Sequence, residues 1–332
     1  MWPTINIESV GVLLDPICSA DCEHCFYKMV NFGGWRGFKY PNTNIRKLYS
    51  LLNQLSEVAE PAPLKVFFFG GETLNHFPFI VKFIQEMPNR QNFSFCLTSN
   101  GFALDKAMID KLNRFNVHVN FSYDRFHAEK LNYDLNTYWM ETVALLDDVR
   151  INRCLSPRDD ISEVLALGDR ILSNHKGKLD MIVSPIIFKG DSLYDLERLK
   201  DGCQTLMSAY RQGGLAANKI VNLIRTIYRE NYELYGKDSS KVCPCGPYPC
   251  SFYVDANLDI YSCIFQPQKL GDQFLPMNFI ISKSVGICDR SLKCSQCDLK
   301  FICLGGCHGV MSEHMCEVMN IYYNPILEGL SC

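Results

Sequence analysis

Short apolar runs alternate with stretches of helical period from about residue 5 to residue 190 of the chain. The runs predict strands over 9–15, 65–70, 93–100, 117–124, 149–155 and 179–188. Between them, apolar residues recur at three- and four-residue steps over 43–58, 76–87, 104–115, 136–147 and 159–175, which predicts helices. In the fifth, Ile161, Val164, Leu165, Leu167, Ile171 and Leu172 share one stripe. Six strands joined by five helices read as repeated βα units around a parallel sheet, an α/β fold. Residues 192–236 look helical, most clearly in "LIRTIYRENYELY". From about residue 241 the runs shorten and turn residues multiply.

Composition changes this picture in one respect. Of 332 residues, 47% are hydrophobic, enough for a sizeable core. A net charge of -3 argues for neither nucleic acid nor an anionic membrane surface as partner. No apolar run approaches the ~18 residues that span a bilayer, and no export signal is visible at the start. The expected location is the cytoplasm. The anomaly is 17 cysteines, 11 of them within 241–332. In a reducing compartment, dense thiols at short spacing point to metal or redox chemistry rather than disulfides.

Cys18, Cys22 and Cys25 fall in "ICSADCEHCF", directly after the first strand. Strand-to-helix loops of parallel α/β folds gather at the C-terminal edge of the sheet, where ligands bind. Three thiolates hold three irons of a [4Fe–4S] cluster and leave the fourth iron open. A structural zinc site closes itself with four ligands, and His24 beside the cysteines is the alternative that would serve one. A second loop, "FFFGGETL", ends the next strand with Gly70, Gly71 and Glu72, which suits close backbone approach and an acceptor for an ammonium group.

Cys18-x3-Cys22-x2-Cys25 resembles the signature of the radical S-adenosylmethionine (SAM) enzymes, with His24 where the family usually has an aromatic residue. The resemblance implies a partial (β/α)6 TIM-like barrel. It also implies an open iron that chelates SAM, and one-electron cleavage of SAM to a 5′-deoxyadenosyl radical that abstracts hydrogen. Gly70, Gly71 and Glu72 look like the family's SAM-ammonium motif. By the same resemblance Ser122 lies near the SAM ribose, and Arg153 reaches the ribose or carboxylate. Asp124, Arg125 and His127 belong either to a solvated loop or to the substrate side.

In the C-terminal part, "CSQCDLKFICLGGC" together with the upstream pair Cys245 and Cys263 resembles the SPASM domain, a Cys-rich extension with two auxiliary [4Fe–4S] clusters. The implied total is three [4Fe–4S] clusters and SAM. The resemblance assigns Cys245, Cys263 and Cys307 to the first auxiliary cluster, and Cys294, Cys297 and Cys303 to the second. Cys316 is expected to complete the second because a helical stretch follows it, with Cys332 the alternative. For the first, Cys250 is favoured over Cys243 and over an open iron. Leu258 stands where the family has a turn glycine, and Asn257 is expected to supply the turn instead. The expected domains are 1–190 (barrel), 191–240 (helical connection) and 241–332 (auxiliary clusters). Cys96, Cys154, Cys203 and Cys288 are expected to be buried or incidental thiols.

Enzymes with this domain pair mostly modify peptides or proteins, which makes a precursor peptide the expected substrate, cross-linking the expected outcome and reduced flavodoxin or ferredoxin the expected electron donor. A small-molecule substrate is the alternative, and a non-catalytic electron-transfer scaffold the third reading. Ile264 stands where sulfatase-maturing relatives place a general-base Asp, and Lys269 where they have a further cysteine, so formylglycine formation is disfavoured. With the first strand expected from Ser9, no N-terminal peptide-recognition domain fits; a leader would bind the barrel, the helical segment or a separate leader-binding protein.

Overall fold

The computed structural model describes residues 7–20, 22, 25, 37–38, 44–58, 63–123, 142–185, 194–235, 242–243, 246–247, 251–261, 269–272, 297, 299, 302 and 313–328. All six predicted strands form: β1 (Ser9–Leu13), β2 (Leu64–Phe69), β3 (Phe93–Ser99), β4 (Val117–Tyr123), β5 (Asp148–Leu155) and β6 (Lys178–Pro185). They pair in parallel and in sequence order. The helices between them are α1 (Ile45–Val58), α2 (Phe77–Glu86), α3 (Lys106–Arg114) and α4 (Ile161–Asn174). Aspartates start two of them: Asp105 accepts from the Met108 amide and Asp160 from the Ser162 amide, each satisfying a donor the first turn leaves open. The result is a partial (β/α) barrel.

The predicted helix over 136–147 is not what the chain forms where it is described. Val143–Leu145 is a single 3-10 turn, and residues 136–141 lie outside the described residues. Asn113 supplies the reason: its side-chain amide donates to the Leu145 carbonyl at 2.9 Å and accepts from the Asp147 N–H at 2.9 Å, capturing groups a helix would use.

Strict alternation in β4, β5 and β6 gives the sheet two unlike faces. One is apolar and packs on the helices; Phe68, for example, meets Phe83 of α2 edge-on at 5.2 Å. The other, inner face is polar on these three strands. On its N-terminal half His118 pairs with Asp148 at 2.7 Å and Arg150 with Asp180 at 3.4 Å, a ladder that ties three strands together away from the loops.

The segment expected to be helical forms two helices, α5 (Leu196–Arg211) and α6 (Leu215–Tyr235), separated at Gly213 with φ +82°. The C-terminal region reaches both edges of the barrel sheet. At one edge, β7 (Ser251–Val254) pairs in parallel with β1, and β8 (Asp259–Tyr261) and β9 (Lys269–Asp272) extend the sheet antiparallel. At the other, α7 (Glu313–Leu327) packs on α5 and α6, and the buried Tyr322 hydroxyl donates to the Val183 carbonyl of β6 at 2.6 Å. Arg225 of α6 donates to the carbonyls of Ile326 and Glu328, capping α7 where its dipole favours a cation. Among the described residues no helix is long and apolar enough to cross a membrane.

The β7–β8 turn corrects one expectation. Leu258, not Asn257, adopts the left-handed conformation, with φ +66°. Asn257 is held earlier in the turn by its N–H to the buried Asp255 carboxylate, which also accepts from the Asp259 N–H. Leu258 is fully buried, so the strain is offset by packing. A left-handed residue with a Cβ costs about 1–2 kcal/mol, and truncating a buried leucine about 2–5 kcal/mol. Leu258→Ala keeps the first cost and loses the packing, whereas Leu258→Gly loses only the packing. Thermal melts should therefore rank wild type above Leu258→Gly, and Leu258→Gly above Leu258→Ala by about 1 kcal/mol. The reverse order of the two variants would remove the strained turn.

Candidate active site

The loops that follow β1, β2 and β3 meet at the C-terminal edge of the sheet. After β1 the chain runs through Pro16 and Ile17 to Cys18, and it returns at Phe38, whose N–H donates to Leu13 and whose carbonyl accepts from Asp15. The three-cysteine loop is thus pinned at its base. Cys18 and Cys25 are partly exposed and Cys22 is buried.

Gly71 lies hard against the start of this loop. A Cβ there would sit 2.4 Å from the Pro16 carbonyl carbon and oxygen, so no other residue fits without moving backbone. The next residue, Glu72, donates its N–H to the Ile17 carbonyl at 2.9 Å. Its side chain, only 3% exposed, turns the other way. Oε1 accepts from the Leu74 N–H at 3.0 Å and the Ser99 hydroxyl at 2.6 Å, and Oε2 accepts from the Asn100 N–H at 2.9 Å. Ser99 in turn accepts from the N–H of Gly101, whose φ of +76° turns the chain out of β3. Glu72 therefore joins three loops. This adds a structural role to the expected one: the carboxylate is a strut of the site.

Two N–H groups approach the Cys18 sulfur: the Ala20 amide at 3.4 Å and the Asn100 side-chain amide at 3.9 Å. A sulfur that accepts such donors is placed as a thiolate ligand would be. Among the described residues no three Cys, His, Asp or Glu side chains converge as around a single ion. A tetrahedral zinc would draw its sulfurs to about 3.8 Å of one another. In a [4Fe–4S] cluster each thiolate binds a different iron, so the sulfurs need not converge on one point. Its thiol donors, the Sγ environment and the open sheet edge suit a cluster at Cys18, Cys22 and Cys25.

The structure separates Ser122 and Arg153. Ser122 is on the inner face, opposite Asn152 in register. Arg153, 5% exposed, is on the helix-covered face; its Nη2 donates to Asp159 at 2.6 Å and its guanidinium stacks 4.5 Å over Tyr123. Among the described residues its Nε and Nη1 have no hydrogen-bond partner. The fifth strand offers Asn152 and Cys154 to the inner face, residues that strand alternation marks but no motif does.

Cys96 and Cys203 are buried, and burial pushes both thiols up to about 12, so they stay protonated. Cys96 also accepts from Asn120 at 3.0 Å. Of the cysteines assigned to auxiliary clusters, Cys245, Cys250, Cys263, Cys294, Cys303 and Cys307 lie outside the described residues, as do His24, Asp124, Arg125, His127, Cys288 and Cys332. Cys297 packs against the core. Cys316 is itself inside α7, which begins at Glu313 rather than after it. An antiparallel ladder pairs Cys243 with Gly246.

Residues 12–156 match the model of the Radical SAM superfamily, a stretch that begins in β1, includes the three cysteines and Gly70 to Glu72, and ends just past β5. That part of the barrel is similar to radical SAM domains. Among solved structures, the fold is similar to native anSMEcpe with bound AdoMet and Kp18Cys peptide, at TM-score 0.64 and 16% identity over 96% of each chain. It is also similar to native anSMEcpe with bound AdoMet and Cp18Cys peptide, at TM-score 0.62 and 16% identity over 96% of each chain. At that identity the likeness concerns the fold. No curated protein matches the chain.

The strut has a direct test. The Glu72 carboxylate takes backbone donors on both oxygens. A glutamine has one acceptor oxygen, so Glu72→Gln must set its NH2 against an N–H. The variant should be destabilised by about 1–3 kcal/mol, read as a lowered melting temperature. An unchanged melting temperature would return Glu72 to a role in ligand contact alone.

Proposed function

We propose that the protein is a radical SAM/SPASM enzyme that abstracts hydrogen from a ribosomally made peptide, leading to a cross-link or a related modification. The observation that carries this reading is the junction of the cysteine loop with the Gly70-Gly71-Glu72 turn through Glu72 N–H and Ile17 C=O, inside the part of the barrel similar to radical SAM domains. When bound, a [4Fe–4S] cluster supplies an open iron for the amino-acid end of SAM and the electron for its reductive cleavage. The chain's own part is to hold and orient. Cys18, Cys22 and Cys25 ligate the cluster, the Gly70–Gly71 backbone lets the SAM ammonium approach, and the Ser122 hydroxyl faces the ribose. Arg153 lies on the helix-covered face with Asp159 and Tyr123, so Asn152, beside Ser122 on the inner face, takes the contact first assigned to the arginine.

The peptide class is supported by fold likeness across 96% of the chain to an enzyme solved with bound peptide. The same likeness covers the C-terminal region, in keeping with two auxiliary clusters held by Cys245, Cys250, Cys263 and Cys307, and by Cys294, Cys297, Cys303 and Cys316. Formylglycine formation remains disfavoured. Lys269, where sulfatase-maturing relatives have a cysteine, is used to pair with Asp259 across β8 and β9 at 2.7 Å.

Anaerobic incubation with SAM and a reductant should release 5′-deoxyadenosine. Reconstituted protein should hold about twelve irons, falling to about eight when Cys18, Cys22 and Cys25 are all replaced by Ala, with loss of SAM cleavage. Iron near four in the wild type would remove the auxiliary clusters, and no 5′-deoxyadenosine from iron-loaded protein would remove the enzyme.

A further inference from the structure

Asn100 lies in "TSNG" (98–101), a stretch to which no individual residue role has been given. It follows β3 and is held at three points. Its backbone N–H donates to Glu72 Oε2 at 2.9 Å, and its side-chain Oδ1 accepts from the Phe102 N–H at 3.0 Å. Its side-chain Nδ2 lies 3.9 Å from Cys18 Sγ. The second contact fixes the orientation of the amide. Oδ1 must face the Phe102 N–H, an Asx turn, so the end that faces the cysteine sulfur is the NH2. The first contact fixes the position, because Glu72 also ties itself to Ile17, the residue before Cys18. The amide is therefore aimed at the sulfur from a rigid base that does not depend on the contact itself.

We propose that Asn100 is a positioning residue for the SAM-binding cluster: its side-chain N–H donates to the Cys18 thiolate and raises the cluster's reduction potential. The inference rests on the reading of Cys18 as an iron ligand. The physical basis is charge. Reduction adds an electron to a cluster already made negative by its thiolates. A donor on a ligating sulfur draws density from it and favours the reduced state. The Ala20 N–H, 3.4 Å from the same sulfur, acts in the same sense and is left in place by changes at residue 100. Because Glu72 holds the backbone and not the side chain of Asn100, side-chain variants remove the donor without removing the strut.

The test is an anaerobic potentiometric titration of the reconstituted protein, following the electron paramagnetic resonance signal of the reduced cluster that changes on adding SAM. Asn100→Asp keeps the acceptor for the Phe102 N–H, loses the donor and adds a negative charge. Asn100→Ser keeps the turn through its hydroxyl and stays neutral. Both should retain the wild-type iron content and show a lower midpoint potential, with the aspartate variant the lower of the two. A wild-type midpoint in Asn100→Ser, with the SAM-responsive signal intact, would overturn the proposal and leave the radical SAM reading standing. Absence of any SAM-responsive signal in the wild type would overturn that reading itself.

Discussion

One buried carboxylate holds the catalytic edge of the barrel together. Glu72 is 3% exposed, yet it is satisfied by the hydroxyl of Ser99 and the amides of Leu74 and Asn100. A buried charge is tolerated only when such donors surround it. Here they come from the loops after β2 and β3, while the Glu72 amide reaches the loop after β1. Three loops that the sheet merely brings to one side are thereby fixed relative to one another. Gly71 makes this possible, since a side chain there would push the loops apart.

Around that junction the chain manages the weakness of a partial barrel, which has two open strand edges. The C-terminal region deals with both. β7 continues the sheet beyond β1, with the hydroxyls of Ser9 and Ser251 bonded at 2.7 Å, and Asn44 at the start of α1 donates to the Ala256 carbonyl in the following turn. At the far side, Tyr322 and the Arg225 cap bring α7 to β6. The polar inner face that results, with Ser122, Asn152 and Cys154 near the loops and ion pairs at the opposite end, is what a site for a polar ligand requires.

Much of the barrel is legible in the sequence, because β-branched and aromatic runs of five to eight residues separated by amphipathic stretches have few other solutions. Over its described part, 142–147, the fourth predicted helix is absent: the side chain of Asn113, more than thirty residues away from the groups it binds, competes with helical hydrogen bonding, and no window around 136–147 contains it. The left-handed Leu258 is hidden in the same way, since its cost is met by burial that only the assembled hairpin provides. In the site, spacing reveals Cys18, Cys22, Cys25 and the Gly70–Glu72 turn. It does not reveal that Glu72 looks inward, that Arg153 is on the far face from Ser122, or that Asn100 reaches Cys18. Each of those depends on strand register and loop packing across distant parts of the chain.

The central claim is that the three-cysteine loop holds a cluster whose open iron takes the amino-acid end of SAM. The most direct measurement is electron–nuclear double resonance on the reduced protein with SAM carrying a nitrogen-15 label in its amino group. A coupling between the labelled nitrogen and the cluster, lost when Cys18, Cys22 and Cys25 are replaced by Ala, is the predicted result. Bound SAM with no such coupling in the wild-type protein would contradict the account.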